Sequence, residues 1–365
     1  MGIIPLGGVC VRNSNRETTV SVRVVKGGLW NVGLRMAALA ACAAPAVASE
    51  PHPMLSVMTY NVHGLPWPIA EDRAASLSAI AAQFRAMRAV RRQPAVVALQ
   101  EAFVPDAKAI GIAAGYRYIA FGAPAEASSS AKTPNDRRFV SEGSMLRGER
   151  VGKHVGSGLA IFSDYPILSV RRMSYPVCAG YDCLANKGAM AASIAIPGMA
   201  RPVTVIDTHL NSNGATGVSE PRALYAYKRQ IDLLSSFIGA VARPDAAIMV
   251  LGDFNVGRDI ARRSYFARRM FGGPVALTGG SLQCRMTRAC VVSEPADIAI
   301  STVRAKDWLM YRAPNALSIR PLGLSAPFGH HGANAMLSDH VGVMLSYVLD
   351  DVGMRSRPPA ILASR

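Results

Sequence analysis

The sequence predicts an α/β fold with enough strands for two sheets. From residue 54 onward, short runs of β-branched and aliphatic residues alternate with longer segments of helical periodicity. Half of the 365 residues are hydrophobic and 18% are charged, which supports a large buried core and argues against wholesale disorder. The length allows two domains or one large one, because single α/β domains often reach about 250 residues.

The strand predictions rest on apolar runs that end in polar or turn-forming residues. They cover 55–60, 95–99, 159–162, 189–196, 203–207, 248–251, 298–300 and 341–347. Helices are predicted at 73–91, 221–241 and 259–270, where apolar residues recur at helical spacing. Residues 122–157 are polar and rich in Ser, Gly and Arg, which predicts a long loop. The absence of periodicity in 350–365 predicts a disordered tail.

The N-terminal segment 1–48 is predicted to be a secretory signal, followed by one folded domain over 49–349. An apolar run at 36–47 follows Lys26 and Arg35, and Ala46-Val47-Ala48 forms a cleavage site with the cut after Ala48. The protein is therefore expected to be secreted or periplasmic. The alternatives are an apolar N-terminal helix of the fold or a lipoprotein signal at Cys42. Residues 1–24 fit no targeting pattern, which suggests a start codon assigned too far upstream.

Four cysteines follow the predicted cleavage site and fall into two close pairs. These are Cys178 with Cys183 and Cys284 with Cys290. In an exported protein, such pairs predict two small local disulfide loops, and reduced thiols are the alternative.

The chain is strongly basic, with 40 Lys and Arg against 24 Asp and Glu and a net charge of +16. Loss of 1–48 would remove five basic residues and one acidic residue and leave +12. This charge favours a polyanion, a phosphate-bearing substrate or an anionic membrane surface as partner. Two arginine clusters could guide such a partner or could be ordinary solvated faces: Arg85, Arg88, Arg91 and Arg92, and Arg262, Arg263, Arg268 and Arg269.

Polar side chains with catalytic chemistry gather at the predicted strand ends. They are Asn61, Glu101, His209, Asn211, Asp253, Asn255, Asp297, Asp339 and His340. Each alone is explained by a turn or a structural hydrogen bond. Because strand ends converge on one rim of an α/β sheet, several carboxylates would meet there and need a divalent cation to offset their repulsion. Histidines nearby could transfer protons near neutral pH.

Seven ordered sequence blocks resemble the endonuclease/exonuclease/phosphatase superfamily over residues 54–349. They are MTYNVHGLP, VVALQE, GSGLAIFSDYPI, VIDTHLN, LGDFN, ADIAIS and LSDH. The resemblance implies a four-layer α/β/β/α sandwich of two mixed sheets flanked by helices. It also implies a catalytic domain with a divalent-metal site at the sheet rim, which hydrolyses phosphodiester or phosphomonoester bonds.

The same resemblance implies a role for each polar residue. Glu101 would be the main ligand of Mg²⁺, or of Mn²⁺, with Asn61 and Asp339 as further ligands. Asp253 would orient the attacking water, and Asn255 and Asn211 would act at the phosphate. His340, held by Asp297, would contact the phosphate or take a proton, and His209 would protonate the leaving oxygen.

A second resemblance narrows the subgroup to the neutral, Mg²⁺-dependent sphingomyelinases. It rests on Asn61–Pro66 (NVHGLP) and on Asp182–Lys187 (DCLANK) followed by Gly188. It implies that Asp182 and Lys187 lie near the active site and control its access or order; the alternative is a surface pair in a disulfide loop.

We therefore expect a sphingomyelinase-like phosphodiesterase acting on a phospholipid, with no obligate protein partner indicated. The alternatives are a secreted endonuclease that cleaves DNA or RNA and a non-catalytic basic binding module.

Overall fold

The computed structural model describes residues 53–130, 133–330 and 336–351. The predicted signal segment, 1–48, lies outside these residues. In chain order the strands are β1 (Met54–Gly64), β2 (Val96–Ala102), β3 (Tyr118–Phe121), β4 (Ala160–Ser163), β5 (Ile167–Ser174), β6 (Gly188–Ile194), β7 (Val203–His209), β8 (Ile248–Asp253), β9 (Thr278–Gly279), β10 (Val291–Val292), β11 (Asp307–Arg312), β12 (Leu317–Ser325) and β13 (Val343–Asp351). The helices are α1 (Arg73–Ala89), α2 (Pro105–Ala113), α3 (Pro134–Ser141), α4 (Glu220–Val241), α5 (Ile260–Met270), α6 (Gly280–Met286) and α7 (Pro295–Arg304).

The strands form two mixed sheets. One has seven strands in the order β10-β12-β13-β1-β2-β4-β3, and the other has six in the order β5-β6-β7-β8-β11-β9. Within them, β1 with β2 and β7 with β8 are parallel pairs, so the C-terminal ends of each pair lie at the same edge.

Hydrophobic side chains fill three interfaces between four layers. Val57, Val96 and Leu251 belong to the core between the two sheets. Alternate strand residues such as Met58 point the other way and pack against the outer helices α1 and α2. Helices α4 and α5 cover the outer face of the six-stranded sheet. The predicted α/β/β/α sandwich is confirmed.

Helix α1 shows why these segments form the outer layers. It buries Leu77, Ile80, Ala81 and Phe84, which lie three or four residues apart and therefore on one face. No helix within the described ranges is long and apolar enough to cross a membrane.

The strand predicted at 298–300 is wrong, because this segment lies in α7. The helix has Pro295 at its start, where the missing amide hydrogen costs nothing, and it buries Ile298 and Ser301 at a helical spacing of three. The alternating isoleucines at 298 and 300 imitate a strand pattern over too few residues to decide between the two structures.

The long loop predicted at 122–157 contains α3 and a 3₁₀ turn at Met145–Arg147. Two ion pairs fix this region to α4: Asp136 with Arg229 at 2.7 Å and Glu149 with Arg222 at 2.6 Å. The partners lie more than 70 residues away along the chain, so local sequence patterns do not report them.

The predicted tail boundary at residue 350 is also wrong. Asp350 is buried in β13, opposite Ser318 of β12, and the strand continues to Asp351. Residues 352–365 lie outside the described ranges.

Both predicted disulfides are present. Cys178 bonds to Cys183 and Cys284 bonds to Cys290, each with a Cα–Cα distance of 5.2 Å. The alternative of reduced thiols is therefore wrong for this structure.

Candidate active site

The register of the six-stranded sheet brings three polar side chains together. His209 at the end of β7 lies opposite Asp253 in parallel β8, and Asp253 lies opposite Asp307 at the start of antiparallel β11. Opposite residues on adjacent strands point to the same face, and Leu251 and Leu309, two residues along, belong to the core between the sheets. The three polar side chains therefore project into the gap between the sheets at its rim.

The seven-stranded sheet supplies Asn61 and Glu101 from the other side of this gap. Asn61 Nδ2 donates to Asp253 Oδ2 at 3.2 Å. Strand alternation alone would turn Glu101 outward with Leu99, which packs among the outer helices. A left-handed φ of 57° at Glu101 interrupts this alternation, and the carboxylate lies 3.9 Å from His209 Nε2. The site is thus built from both sheets.

His340 forms a buried dyad with Asp307. Its Nδ1 lies 2.9 Å from both carboxylate oxygens of Asp307, and its Nε2 lies 3.6 Å from Asp253 Oδ2. The prediction that Asp297 holds His340 is therefore wrong. Asp297 lies on α7 and contacts His330 instead, with 2.7 Å between Oδ1 and Nδ1. Asp307, which sequence reasoning missed, takes the position predicted for Asp297.

Asp253 lies at the centre of the charge distribution, 3.6 Å from Nε2 of both His209 and His340. Burial would raise the pKa of Asp253, but His340 and His209 lower it to about 2. Burial would likewise lower the pKa of His340, but Asp307 and Asp253 raise it to about 9. At neutral pH this arrangement places a carboxylate beside an imidazolium.

Asp182 and Lys187 form a buried pair that contacts the site. Lys187 Nζ donates to Asp182 Oδ1 at 2.9 Å and lies 3.0 Å from His209 Nε2. Their side chains are 15% and 7% exposed, so the surface-pair alternative is wrong. Asp182 Oδ2 also accepts a hydrogen bond from the Ser212 amide at 2.5 Å. The pair therefore connects the disulfide-closed segment to the His209 loop.

The contact with Lys187 bears on the predicted role of His209. Burial and the adjacent ammonium lower the pKa of His209 to about 3, so its imidazole is neutral and Nε2 accepts from Lys187. Protonation of the leaving oxygen by His209 stays a prediction, and this geometry does not favour it.

The two asparagines differ in what they contact. The backbone amide of Asn255, whose φ is a left-handed 45°, donates to Asp253 Oδ1 at 2.9 Å. Its buried side chain donates through Nδ2 to the Leu210 carbonyl at 2.9 Å. Asn211 is fully buried: its Oδ1 accepts from the Ala179 amide at 2.8 Å and its Nδ2 donates to the next carbonyl at 3.0 Å. These bonds hold Asn211 in its own loop, and its predicted phosphate contact stays a prediction.

Asp339 lies at the more open edge of the site and pairs with His63. Their Oδ1 and Nδ1 atoms are 2.8 Å apart. This hydrogen bond, with a further contribution from Glu101, raises the pKa of His63 against the effect of burial. For Asp339, burial would raise the pKa, but the bond to His63 holds it well below its usual range. Sequence reasoning missed His63, because a left-handed φ of 50° and a register shift between Asn61 and Gly64 interrupt strand alternation at this residue.

The oxygen atoms present suit a hard divalent cation such as Mg²⁺. The candidate donors are Asn61, Glu101, Asp253 and Asp339, and a further grouping of Asp253, Asp307 and His340 has ligand atoms within 4.8 Å of one another. Both Asp307 oxygens contact the His340 ring, so Asp307 is engaged by the histidine in this structure. A bound cation would neutralise these carboxylates and acidify a bound water.

A family model described as the Endonuclease/Exonuclease/phosphatase family matches residues 58–340. The chain belongs to this family. No curated protein matches the chain significantly.

Several solved structures share the fold. Sphingomyelinase C from Streptomyces griseocarneus is 19% identical with a TM-score of 0.53, covering 80% of this chain and 99% of its own. A variant of beta toxin from Staphylococcus aureus with bound magnesium ions is 17% identical with a TM-score of 0.52, covering 80% and 98%. D. rerio TDP2 complexed with single-strand DNA product is 16% identical with a TM-score of 0.51, covering 80% and 98%.

Proposed function

We propose that this chain is an exported, Mg²⁺-dependent phosphodiesterase of the sphingomyelinase type, which hydrolyses a phospholipid by attack of water on the phosphate. The observation that carries this proposal is the buried contact of Lys187 with Asp182 and His209. The resemblance to the neutral sphingomyelinases implies such a pair beside the active site. The nuclease alternative rests on the basic charge of the chain and not on this pair. The shared fold of sphingomyelinase C is consistent with the proposal.

The roles of the side chains follow from their charges. Asp253 is an ionised acceptor that orients the attacking water, and His340, fixed by Asp307, is a cationic donor to a phosphate oxygen. The ammonium of Lys187 adds positive charge beside the same centre. Glu101, Asn61 and Asp339 would hold the cation, Mg²⁺ or Mn²⁺, whose charge would offset that of the non-bridging phosphate oxygens.

Export and contact with an anionic membrane surface belong to the same proposal. Two disulfides and a net charge of +12 after loss of 1–48 support them. Mass spectrometry of the protein recovered from the culture medium or periplasm should find a new N-terminus at Ser49 and both disulfide links. An intact Met1 on exported protein would contradict the signal prediction.

A secreted endonuclease is the second candidate, favoured by the exposed arginines Arg85, Arg91 and Arg92 on and after α1. Other arginines of the two clusters make contacts within the protein, which weighs against a role in binding nucleic acid. Arg88 pairs with Asp164, Arg269 pairs with Asp232, and Arg262 is buried. A non-catalytic binding module is less well supported, because the polar side chains of the site remain in place around Asp253.

One purified sample assayed side by side on sphingomyelin vesicles, plasmid DNA and bis-p-nitrophenyl phosphate tests these functions. We expect hydrolysis of the lipid and of the small diester, lost in EDTA and restored by Mg²⁺ or Mn²⁺. Cleavage of DNA without lipid hydrolysis would select the endonuclease, and inactivity on all three would leave the binding module.

A further inference from the structure

Arg262 is the largest fully buried side chain among the described residues, at 1% exposure. It lies in the first turn of α5, and its guanidinium reaches back to the rim of the six-stranded sheet. Nη1 donates to the carbonyls of Asn211 at 2.8 Å and Asn255 at 2.9 Å. Nη2 donates to the carbonyl of Ser212 at 2.9 Å and, at 3.5 Å, to that of Ala223 on α4. One side chain therefore joins the loop that follows His209 to the loop that follows Asp253.

No carboxylate of the described residues hydrogen-bonds to this guanidinium. The charge is met by the backbone carbonyls and by the ring of Tyr227, whose centroid lies 4.3 Å from Cζ. Asp259 accepts a hydrogen bond from the backbone amide of Arg262, which caps α5, and leaves the guanidinium to the loops. A buried cation without an ion-pair partner is costly. An apolar side chain would suffice if the position had only to be filled.

We propose that Arg262 is a positioning residue of the active site, which fixes the spacing between the His209 loop and the Asp253–Asn255 loop. The two loops leave adjacent parallel strands whose ladder ends at His209 and Asp253. Beyond the ladder, Asn255 Nδ2 donates to the Leu210 carbonyl at 2.9 Å, and Arg262 adds bonds to the carbonyls of both loops. Asn255 adopts a left-handed φ of 45° two residues after that point. Its backbone amide and Nδ2 are held by Asp253 and Leu210, and Arg262 holds its carbonyl.

Arginine suits this task better than lysine. A guanidinium presents several donors in one rigid plane, so it can hold carbonyls from two loops at once. The ammonium of a lysine would carry the same charge but could not reproduce the fixed angles between these bonds. The variant Arg262→Lys therefore keeps the charge but loses the hydrogen bonds that fix the spacing between the two loops. The variant Arg262→Ala loses both the charge and these bonds.

The test uses the full chain in these two variants, with Arg268→Ala as the matched control. Arg268 lies on the same helix, is exposed, and contacts the ring of Tyr265. Two readouts are measured: kcat and KM on bis-p-nitrophenyl phosphate, and hydrogen exchange of peptides that cover 209–214 and 253–258. Both are repeated for Arg262→Ala with millimolar guanidinium chloride, which can occupy the vacated volume.

We expect both Arg262 variants to lose about 100-fold in kcat with a smaller change in KM, because a misplacement of about 1 Å can cost that much. Exchange should rise in the two loop peptides and stay unchanged in the α1 and β13 peptides. Guanidinium should restore part of both signals in Arg262→Ala, and Arg268→Ala should match the wild type in all of them.

The proposal is overturned if kcat and loop exchange in Arg262→Ala match the wild type. It is equally overturned if both variants show raised exchange throughout the chain without rescue, since Arg262 would then stabilise the fold as a whole. The proposal rests on the proposed phosphodiesterase function only for its kinetic readout. If the wild type hydrolyses no diester, that function fails, and localised, guanidinium-reversible exchange still decides whether Arg262 positions the loops.

Discussion

Replacement of Asp307 by asparagine tests the Asp307–His340 dyad, which the structure contains in place of the predicted Asp297–His340 pair. The change is nearly isosteric and removes the charge that lies 2.9 Å from His340 Nδ1. A hydrogen bond that involves a charged group contributes about 1.5–3 kcal/mol, which corresponds to roughly 10- to 150-fold in rate if it is needed in the transition state. An asparagine amide can also donate to Nδ1 and favour the wrong ring tautomer. We therefore expect kcat to fall about 100-fold.

The assay is hydrolysis of bis-p-nitrophenyl phosphate at saturating Mg²⁺, with circular dichroism to verify the fold. Asp297→Asn is the matched control, because the same chemical change there removes a contact with His330 and leaves His340 untouched. We expect that variant to work at close to the wild-type rate. The reasoning is refuted if Asp297→Asn loses as much activity as Asp307→Asn, or if Asp307→Asn is fully active.

Three further predictions concern the cation, the buried lysine and the response to acid. Glu101→Gln should lose most activity while staying folded, and should need a higher Mg²⁺ concentration for half-maximal rate; an unchanged Mg²⁺ dependence would remove Glu101 from the cation site. Lys187→Met should raise the pKa of His209 from about 3 towards its ordinary value, which NMR titration of the ring would report, and an unmoved titration would contradict the contact at 3.0 Å. The bond from Arg229 lowers the pKa of Asp136 to about 2 from 3.8, so the pair stabilises the fold fully above pH 4 and loses this contribution as the pH falls from about 4 to about 2. Asp136→Asn should therefore cost about 2 kcal/mol in urea unfolding at pH 7 and less at pH 3, and an equal cost at both values would contradict the assignment.

The sequence was sufficient to predict the site where parallel strands end. Glu101, His209 and Asp253 follow apolar runs, and the ends of parallel strands share an edge, so their convergence could be expected. Asp307 was missed because it begins its strand, whereas Glu101, His209 and Asp253 lie at or near the C-terminal ends of theirs. Strand β11 is antiparallel to β8, so it reaches the same rim with its first residue, and a search of C-terminal strand ends passes over it. The apolar run that follows Asp307 was the available signal.

The remaining errors have a common physical cause. Contacts between residues that are distant in the sequence determine the structure of these segments. Local composition predicts a loop at 122–157, yet Asp136 and Glu149 find arginine partners on α4 and hold α3 in place. The two arginine clusters similarly could not be sorted by helical spacing alone. Arg262 turns inward because the carbonyls of two distant loops lie within its reach, and Arg263 on the same helix stays exposed.

The origin of the site in both sheets has a practical consequence for fragments of the chain. A cut in the short turn between β4 and β5 would leave Asn61 and Glu101 on the N-terminal piece and His209, Asp253 and His340 on the C-terminal piece. Neither piece would hold a complete set of donors. Turnover would require the two to reassemble through the β1–β13 ladder of the seven-stranded sheet and through the apolar interface between the sheets. Fused to two interacting partners, such halves would form a split reporter whose signal depends on their association. Catalysis in the intact chain would in the same way serve as a sensitive gauge of whether the two sheets remain packed.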